Sequence, residues 1–327
     1  MQIEFQLQFD TCAQNLESDG YALLALSSNL TSAISNSFAT ARAALDSLSS
    51  IEDNSPAECQ FPMPFIDPNS DSGSWTGYHR AAVENGRYNR FREGFVFSNG
   101  DMFDINCVGH GKEGEAGEFG TQMKELFHIM HNVIANEILK TIERRLQLPE
   151  AYFRNELGPT DTSSQWHMKR YDIHSEEESL DGSEILPMHT DPSLISIVIL
   201  DASEVQMGGM GLQVYQTDRT WKEIIRHGHG IAIIFVGSVL SHLIKDKSIF
   251  PAAKHRVVQW WDRDNDKHQR VAATLFVRPN GDALMRPLPS PLVLDLDERK
   301  HKSTHLTFAQ WNARVAKNYM KKQDQRR

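Results

Sequence analysis

Two ionisable side chains, His189 and Asp191, stand at the head of an apolar run in PMHTDPSLISIVIL (187–200). In an extended strand, residues i and i+2 share a face, about 6–7 Å apart at Cα. An imidazole and a carboxylate at that spacing can converge on one atom. Two donors leave a metal site incomplete, and a third, His255, opens the run HRVVQWW 64 residues beyond Asp191. That separation lets several strands run out and return. Two histidines and one carboxylate on one side of a metal leave the opposite positions open, as in non-haem Fe(II) sites that take a co-substrate and dioxygen together. Alone, H-x-D reads at least as well as a polar turn capped by Asp191, because a chain with 14 histidines contains such tripeptides by chance.

The elements that must hold these residues are legible as texture. From about residue 165, short apolar or alternating runs follow one another: QWHMKRYD, SLISIVIL, GLQVYQ, WKEII, GIAIIFV, HRVVQWW and RVAATLFVRP. Gly- and Asp-rich punctuation separates them, which predicts a β-sandwich or barrel. Upstream, GYALLAL (20–26) reads as a strand, and residues 28–50 read as a helix with Asn29 or Thr31 as cap. Residues 52–79 read as a long loop. The strongest helical pattern covers 119–146, where Met123, Leu126, Phe127, Met130, Val133, Ile134, Ile138, Ile142 and Leu146 form one apolar stripe. LTFAQWNARVAKNYMKK reads as a final helix capped by Thr304 or Thr307. The expected organisation is one cooperative unit: a mixed α/β elaboration (1–160), a β core (161–285) and a C-terminal helical extension (286–327).

Composition narrows the function classes. With 327 residues and 40% hydrophobic content the chain can bury a large core. A net charge of −9 argues against a nucleic-acid partner, and KKQDQRR reads as a solvated end. Three widely spaced cysteines (Cys12, Cys59, Cys107) give neither a disulfide framework nor a cysteine zinc site. No signal peptide or membrane-spanning run is apparent. A cytoplasmic protein with no membrane partner is expected, monomeric by default.

Beyond the tripeptide, the sequence resembles the iron(II)/2-oxoglutarate-dependent oxygenases, in the branch of isopenicillin N synthase and the plant hormone and flavonoid oxygenases. HTDPSLISIVILD, GGMGLQVYQTDRTWKEI, GHGIAIIFVGSVL, AAKHRVV and QRVAATLFVRP carry the likeness in family order, with fainter matches in DGYALLAL and GYHRAAVENGRYNRFREGFVF. The resemblance implies a mainly β fold with a double-stranded β-helix (jelly-roll) core and surrounding helices. It implies His189, Asp191 and His255 as Fe(II) ligands, with 2-oxoglutarate as co-substrate and dioxygen as oxidant. It further implies Arg270 and Tyr171 as anchors for 2-oxoglutarate, a guanidinium fork suiting a carboxylate. The family's serine two positions after that arginine is Ala272 here, and the 15 residues from His255 to Arg270 imply an enlarged hairpin. A carboxylate at Asp191 argues against halogenation.

The expected reaction is hydroxylation, desaturation or oxidative cyclisation of a small, carboxylated or amino-acid-derived metabolite, for example ring closure of a prenylated amino acid. Arg87, Arg90 and Arg92 are candidates to bind its carboxylate. The alternatives are a same-fold Fe(II) oxidase that uses no 2-oxoglutarate and a non-catalytic jelly-roll that binds a ligand. Other polar clusters read more plainly. His227 and His229 read as turn residues, and His128 and His131 as helix-surface residues. DRDNDKHQ lacks the Gly and Glu of a calcium loop, MGGMG reads as a hairpin, and HSEEES reads as a solvated charge run, with a lid over the iron as the sharper alternative because it lies between Tyr171 and His189.

Overall fold

The computed structural model describes residues 2–49, 77–82, 88–98, 115–158, 163–173, 184–200, 211–224, 230–246, 248–258, 268–293 and 305–324. Eleven strands among them form two antiparallel sheets. The larger runs in the order β1 (Tyr21–Ala25), β9 (Ile231–Val236), β6 (Ile195–Leu200), β11 (His268–Val277), β4 (Gln165–Ile173), β3 (Tyr88–Ser98), β2 (Gly77–Ala82). The smaller runs β5 (Glu184–His189), β10 (His255–Val258), β7 (Leu212–Tyr215), β8 (Trp221–Glu223). Together they make a double-stranded β-helix. Strands β1, β2 and β3 extend the larger sheet at both edges, and β2 begins inside the segment read as a loop.

Alternation divides the larger sheet into two unlike faces. Ile195, Ile197 and Ile199 of β6, Ala232, Ile234 and Val236 of β9, and Val271, Ala273, Leu275 and Val277 of β11 pack into one apolar cluster with the helices. The intervening Val198, Leu200, Ile233, Phe235 and Ala272 turn the other way, onto Leu212, Val214 and Val257 of the smaller sheet. A period of two is what aims successive side chains at opposite layers.

The helices cover the outer face. They are α1 (Gln2–Asp19), α2 (Ser28–Ser49), α3 (Glu115–His128), α4 (Asn136–Arg145), the short α5 (Ser238–Ile244) and α6 (Phe308–Asp324). Helix α1 was not evident in the sequence. It stops at Gly20, whose φ of 76° lets the N–H return to the Leu16 carbonyl. A Cβ there would meet the Pro251 carbonyl oxygen at 2.3 Å. The Ser27 hydroxyl, not Asn29 or Thr31, caps α2 by accepting the Leu30 N–H at 3.3 Å. Thr307 caps α6 in a reciprocal box with Gln310, at 3.1 and 3.3 Å.

The helix expected over 119–146 is interrupted by a π-helical stretch, Ile129–Ala135. Each π turn holds an extra residue and rotates the remainder of the helix by about 100°. Val133 consequently leaves the stripe and is 43% exposed, whereas His131, expected on the surface, is buried. Its ring stacks on Phe127, and its Nε2 lies 3.0 Å from the Ser164 hydroxyl.

Candidate metal centre

His189 and Asp191 do not share a strand with the apolar run downstream of them. His189 is the last residue of β5 in the smaller sheet, whereas β6 belongs to the larger one. Asp191 lies in the crossover between the sheets, and the convergence expected from strand alternation comes instead from the bend of this crossover. Its backbone is held from one side: Ser238 donates both its N–H (2.7 Å) and its hydroxyl (2.9 Å) to the Asp191 carbonyl. The Gly237 N–H reaches the Leu194 carbonyl at 2.9 Å. Gly237 permits this approach, since a Cβ there would stand 1.9 Å from the Ser193 carbonyl oxygen.

His255 begins β10, which pairs with β5 so that His255 and His189 face each other across the ladder. The rings lie 4.3 Å apart, and His255 stacks on Phe235 at 4.4 Å. Each histidine holds its Nδ1 against a carbonyl two residues earlier, Pro187 at 2.8 Å and Ala253 at 3.0 Å. A carbonyl only accepts, so Nδ1 carries the proton and Nε2 presents its lone pair. Both Nε2 atoms point to Asp191 Oδ1, at 3.5 and 3.7 Å. The three donor atoms lie within 4.8 Å of one another, and this is the one such group of three among the described residues.

The electrostatics suit ligation. Burial first, then the facing His255, pushes the His189 imidazole down to about 4. Burial opposes the Asp191 carboxylate, but the two imidazoles and the Ser196 hydroxyl outweigh it and hold the carboxyl below its usual range. A neutral imidazole and an ionised carboxylate are the forms a divalent cation binds. His/His/Asp with two ordered second contacts fits Fe(II), and these three residues would hold it.

Tyr171 is buried in β4, and its backbone is paired with Arg270 on one side and Arg92 on the other. The two expected co-substrate anchors therefore occupy one row across adjacent strands. Arg90 also lies in β3, while Arg87 falls outside the described residues. HSEEES, His227 and His229 fall outside them too, as does most of DRDNDKHQ.

The inner face carries polar groups that the sequence patterns did not single out. Lys169 pairs in register with Ala272, and its charge acts on both His189 and Asp191. Gln165 and His167 precede it at the same parity, 3.2 Å apart through Nε2 and Oε1. Arg278 comes directly after the last residue of β11. The signal was present: in QWHMKRYDI, every second position from Gln165 to Tyr171 is polar, at the parity of Ala272. A cavity of about 400 Å³ lined by His131, Asn132, Glu143, Phe153, Arg154 and Val277 opens on the helix side instead, on the opposite face of the sheet.

Neither a family model nor a curated protein matches the chain. Solved structures share its fold. A full-length Neurospora crassa protein in complex with alpha-KG and thymine superposes with a TM-score of 0.70 at 15% identity, over 98% of this chain and 93% of its own. A 2OG-Fe(II) oxygenase family protein from Caulobacter crescentus gives 0.69 at 18%, over 96% and 95%. The rice dioxygenase for auxin oxidation gives 0.62 at 18%, over 97% and 90%. The likeness spans both sheets and the helices around them.

Proposed function

We propose that the protein is an Fe(II)- and 2-oxoglutarate-dependent oxygenase acting on a small, carboxylated or amino-acid-derived molecule. The observation that carries this reading is the His189–Asp191–His255 group, with both Nδ1 atoms tied back and both Nε2 atoms aimed at one carboxylate oxygen. The fold shared with the Neurospora crassa protein, whose structure holds alpha-KG, supports it. When bound, the iron supplies the coupling of 2-oxoglutarate decarboxylation, which yields succinate and carbon dioxide, to oxidation of a substrate C–H bond.

The chain's own part is to bind, orient and exclude water. Pro187 and Ala253 fix the histidine tautomers, Phe235 fixes one ring plane, and Ser238 fixes the Asp191 backbone. Arg270 and Tyr171, neighbours in register, would receive the distal carboxylate of 2-oxoglutarate. Ala272 in place of serine favours a second reading, an oxidase of the same fold that uses no 2-oxoglutarate. Against it, Lys169 stands opposite Ala272 and brings a positive charge to the same face, one inward-facing pair along from Arg270 and Tyr171.

Anaerobic titration of the Fe(II)-loaded protein with 2-oxoglutarate separates the two readings. A visible charge-transfer band, and succinate on admitting air, are expected. An iron-loaded protein with neither result is the second kind. His255→Ala should weaken Fe(II) binding by more than about 100-fold, since a first ligand outranks the outer partners whose loss costs 10–100-fold. Undiminished iron affinity would dispose of the ligand assignment altogether.

A further inference from the structure

Arg278 is only partly solvent-reached, yet it pairs with no carboxylate among the described residues. Its Nη1 donates to the Gln165 side-chain oxygen at 2.7 Å, and its guanidinium lies 5.3 Å from the Phe276 ring centroid. Its Nε is buried without a hydrogen-bond partner. Leaving a buried donor on a charged group unmade is costly, and with no carboxylate on this guanidinium an arriving anion would complete the fork.

The register places it beside the metal centre. Leu194 donates to the carbonyl of Val277 at 2.8 Å, so residue 278 abuts the crossover that carries Asp191. The Asp191 charge acts on Arg278, opposing the burial that pushes the guanidinium down to about 10. From behind, the Ser164 hydroxyl accepts the Arg278 N–H at 3.2 Å, and His131 lies on the other side of that hydroxyl. The backbone is thus fixed while one edge of the side chain is unsatisfied. Arg270 stands eight residues away near the other end of the same strand, beyond the reach of one small anion bound at Arg278.

On the strength of the oxygenase reading above, we infer that Arg278 and Gln165 form the subsite that grips a carboxylate of the primary substrate and so orients it toward the metal. A singly charged, planar anion matches one guanidinium with an amide beside it. A phosphate dianion would bring more charge than this pair balances, with Asp191 close by. The arginines of GRYNRFREGF are not needed for this role.

The test uses the full chain loaded with Zn(II) and saturated with 2-oxoglutarate, so that the co-substrate anchors are already filled. The probes are acetate, benzoate and phenylacetate, with the matching primary amides as controls, and binding is read by calorimetry and thermal shift. At least one acid should bind and its amide should not. Arg278→Gln should weaken that acid by at least about tenfold, with Arg278→Lys intermediate. Gln165→Glu keeps the arginine but places a carboxylate against it. This variant should also lose the acid while melting at or above the wild-type temperature, which separates a filled subsite from a damaged fold. Unchanged acid binding in Arg278→Gln or Gln165→Glu overturns the inference, as does equal binding of acid and amide, or binding of no acid. Failure to retain Zn(II) in the wild type would instead count against the metal centre, so the two failures are distinguishable.

Discussion

Arg170 and Arg278 are two buried guanidiniums on opposite faces of one sheet, and they are treated in opposite ways. Arg170, on the helix side of β4, is 1% exposed and donates to Glu93, itself fully buried, to Asp46 of α2 at 2.5 Å, and to the Leu45 carbonyl. Tyr78 donates its hydroxyl to the other Glu93 oxygen. Arg278, on the inner side, has an amide and an aromatic ring but no carboxylate partner among the described residues. A charge closed on itself ties α2 to β3 and β4. A charge left open, beside three metal-type donors, is poised for a ligand.

The contrast is broken most severely at Arg170. Arg170→Met strands the buried Glu93 carboxylate, and breaking one side of such a pair costs about 3–5 kcal/mol. Urea unfolding should show this as a lower midpoint. The double variant Arg170→Met/Glu93→Leu should recover most of the loss, because no buried charge is then orphaned. A single variant as stable as wild type would mean that the network contributes nothing.

Acid should act on the inner face. His189 titrates near 4 in the folded metal-free chain, against about 6.5 unfolded. The unfolded chain therefore binds the proton first, and stability from this group is level above about 6.5 and falls as pH drops toward 4. The loss is about 3 kcal/mol at most. Chemical denaturation between pH 4 and 7 measures it, and His189→Gln should flatten that part of the profile. Divalent-metal loading should likewise persist near pH 5, where a free imidazole is mostly protonated.

Gly237→Ala probes the joint between the faces. Its Cβ would sit 1.9 Å from the Ser193 carbonyl oxygen, so the Ser193 backbone or the start of α5 must shift. Overpacking of this kind costs about 1–3 kcal/mol. Because the shift falls on the hydrogen bonds to Asp191, Zn(II) affinity should drop with stability. A loss of stability with metal affinity intact would show that the crossover tolerates the shift.

Most strands, and the grouping of His189, Asp191 and His255, were legible because each rests on a local pattern: SLISIVIL and GIAIIFV as apolar runs, HTD and HRVV as signatures. The features that escaped depend on pairing between distant segments. The π stretch at Ile129–Ala135 places His131 against Ser164, 33 residues away, and no helical pattern encodes that contact. The bend that carries Asp191 between sheets depends on Ser238, 47 residues on. Helix α1 was hidden because QIEFQLQFDTCAQNLESD has only a weak apolar face, its burial resting on Phe9, Cys12, Ala13 and Leu16. Arg278 reads as any exposed arginine before a proline until the register of β11 against β4 and β6 is known.

The smallest expected effect is the one that sharpens the comparison furthest. Arg278→Met removes a charge with no carboxylate partner among the described residues and leaves an apolar chain of similar length against Phe276. No carboxylate among the described residues loses a hydrogen-bonded partner, and Gln165, which loses only a neutral-acceptor contact, has His167 beside it. Replacing a poorly compensated buried charge by a packed apolar group is often neutral or stabilising. The unfolding free energy should therefore stay within about 1 kcal/mol of wild type or rise. Arg170→Met, the same substitution on the other face of the same sheet, should fall by several times that amount. Equal losses at the two positions would mean that Arg278 is held as firmly as Arg170 and belongs to the scaffold.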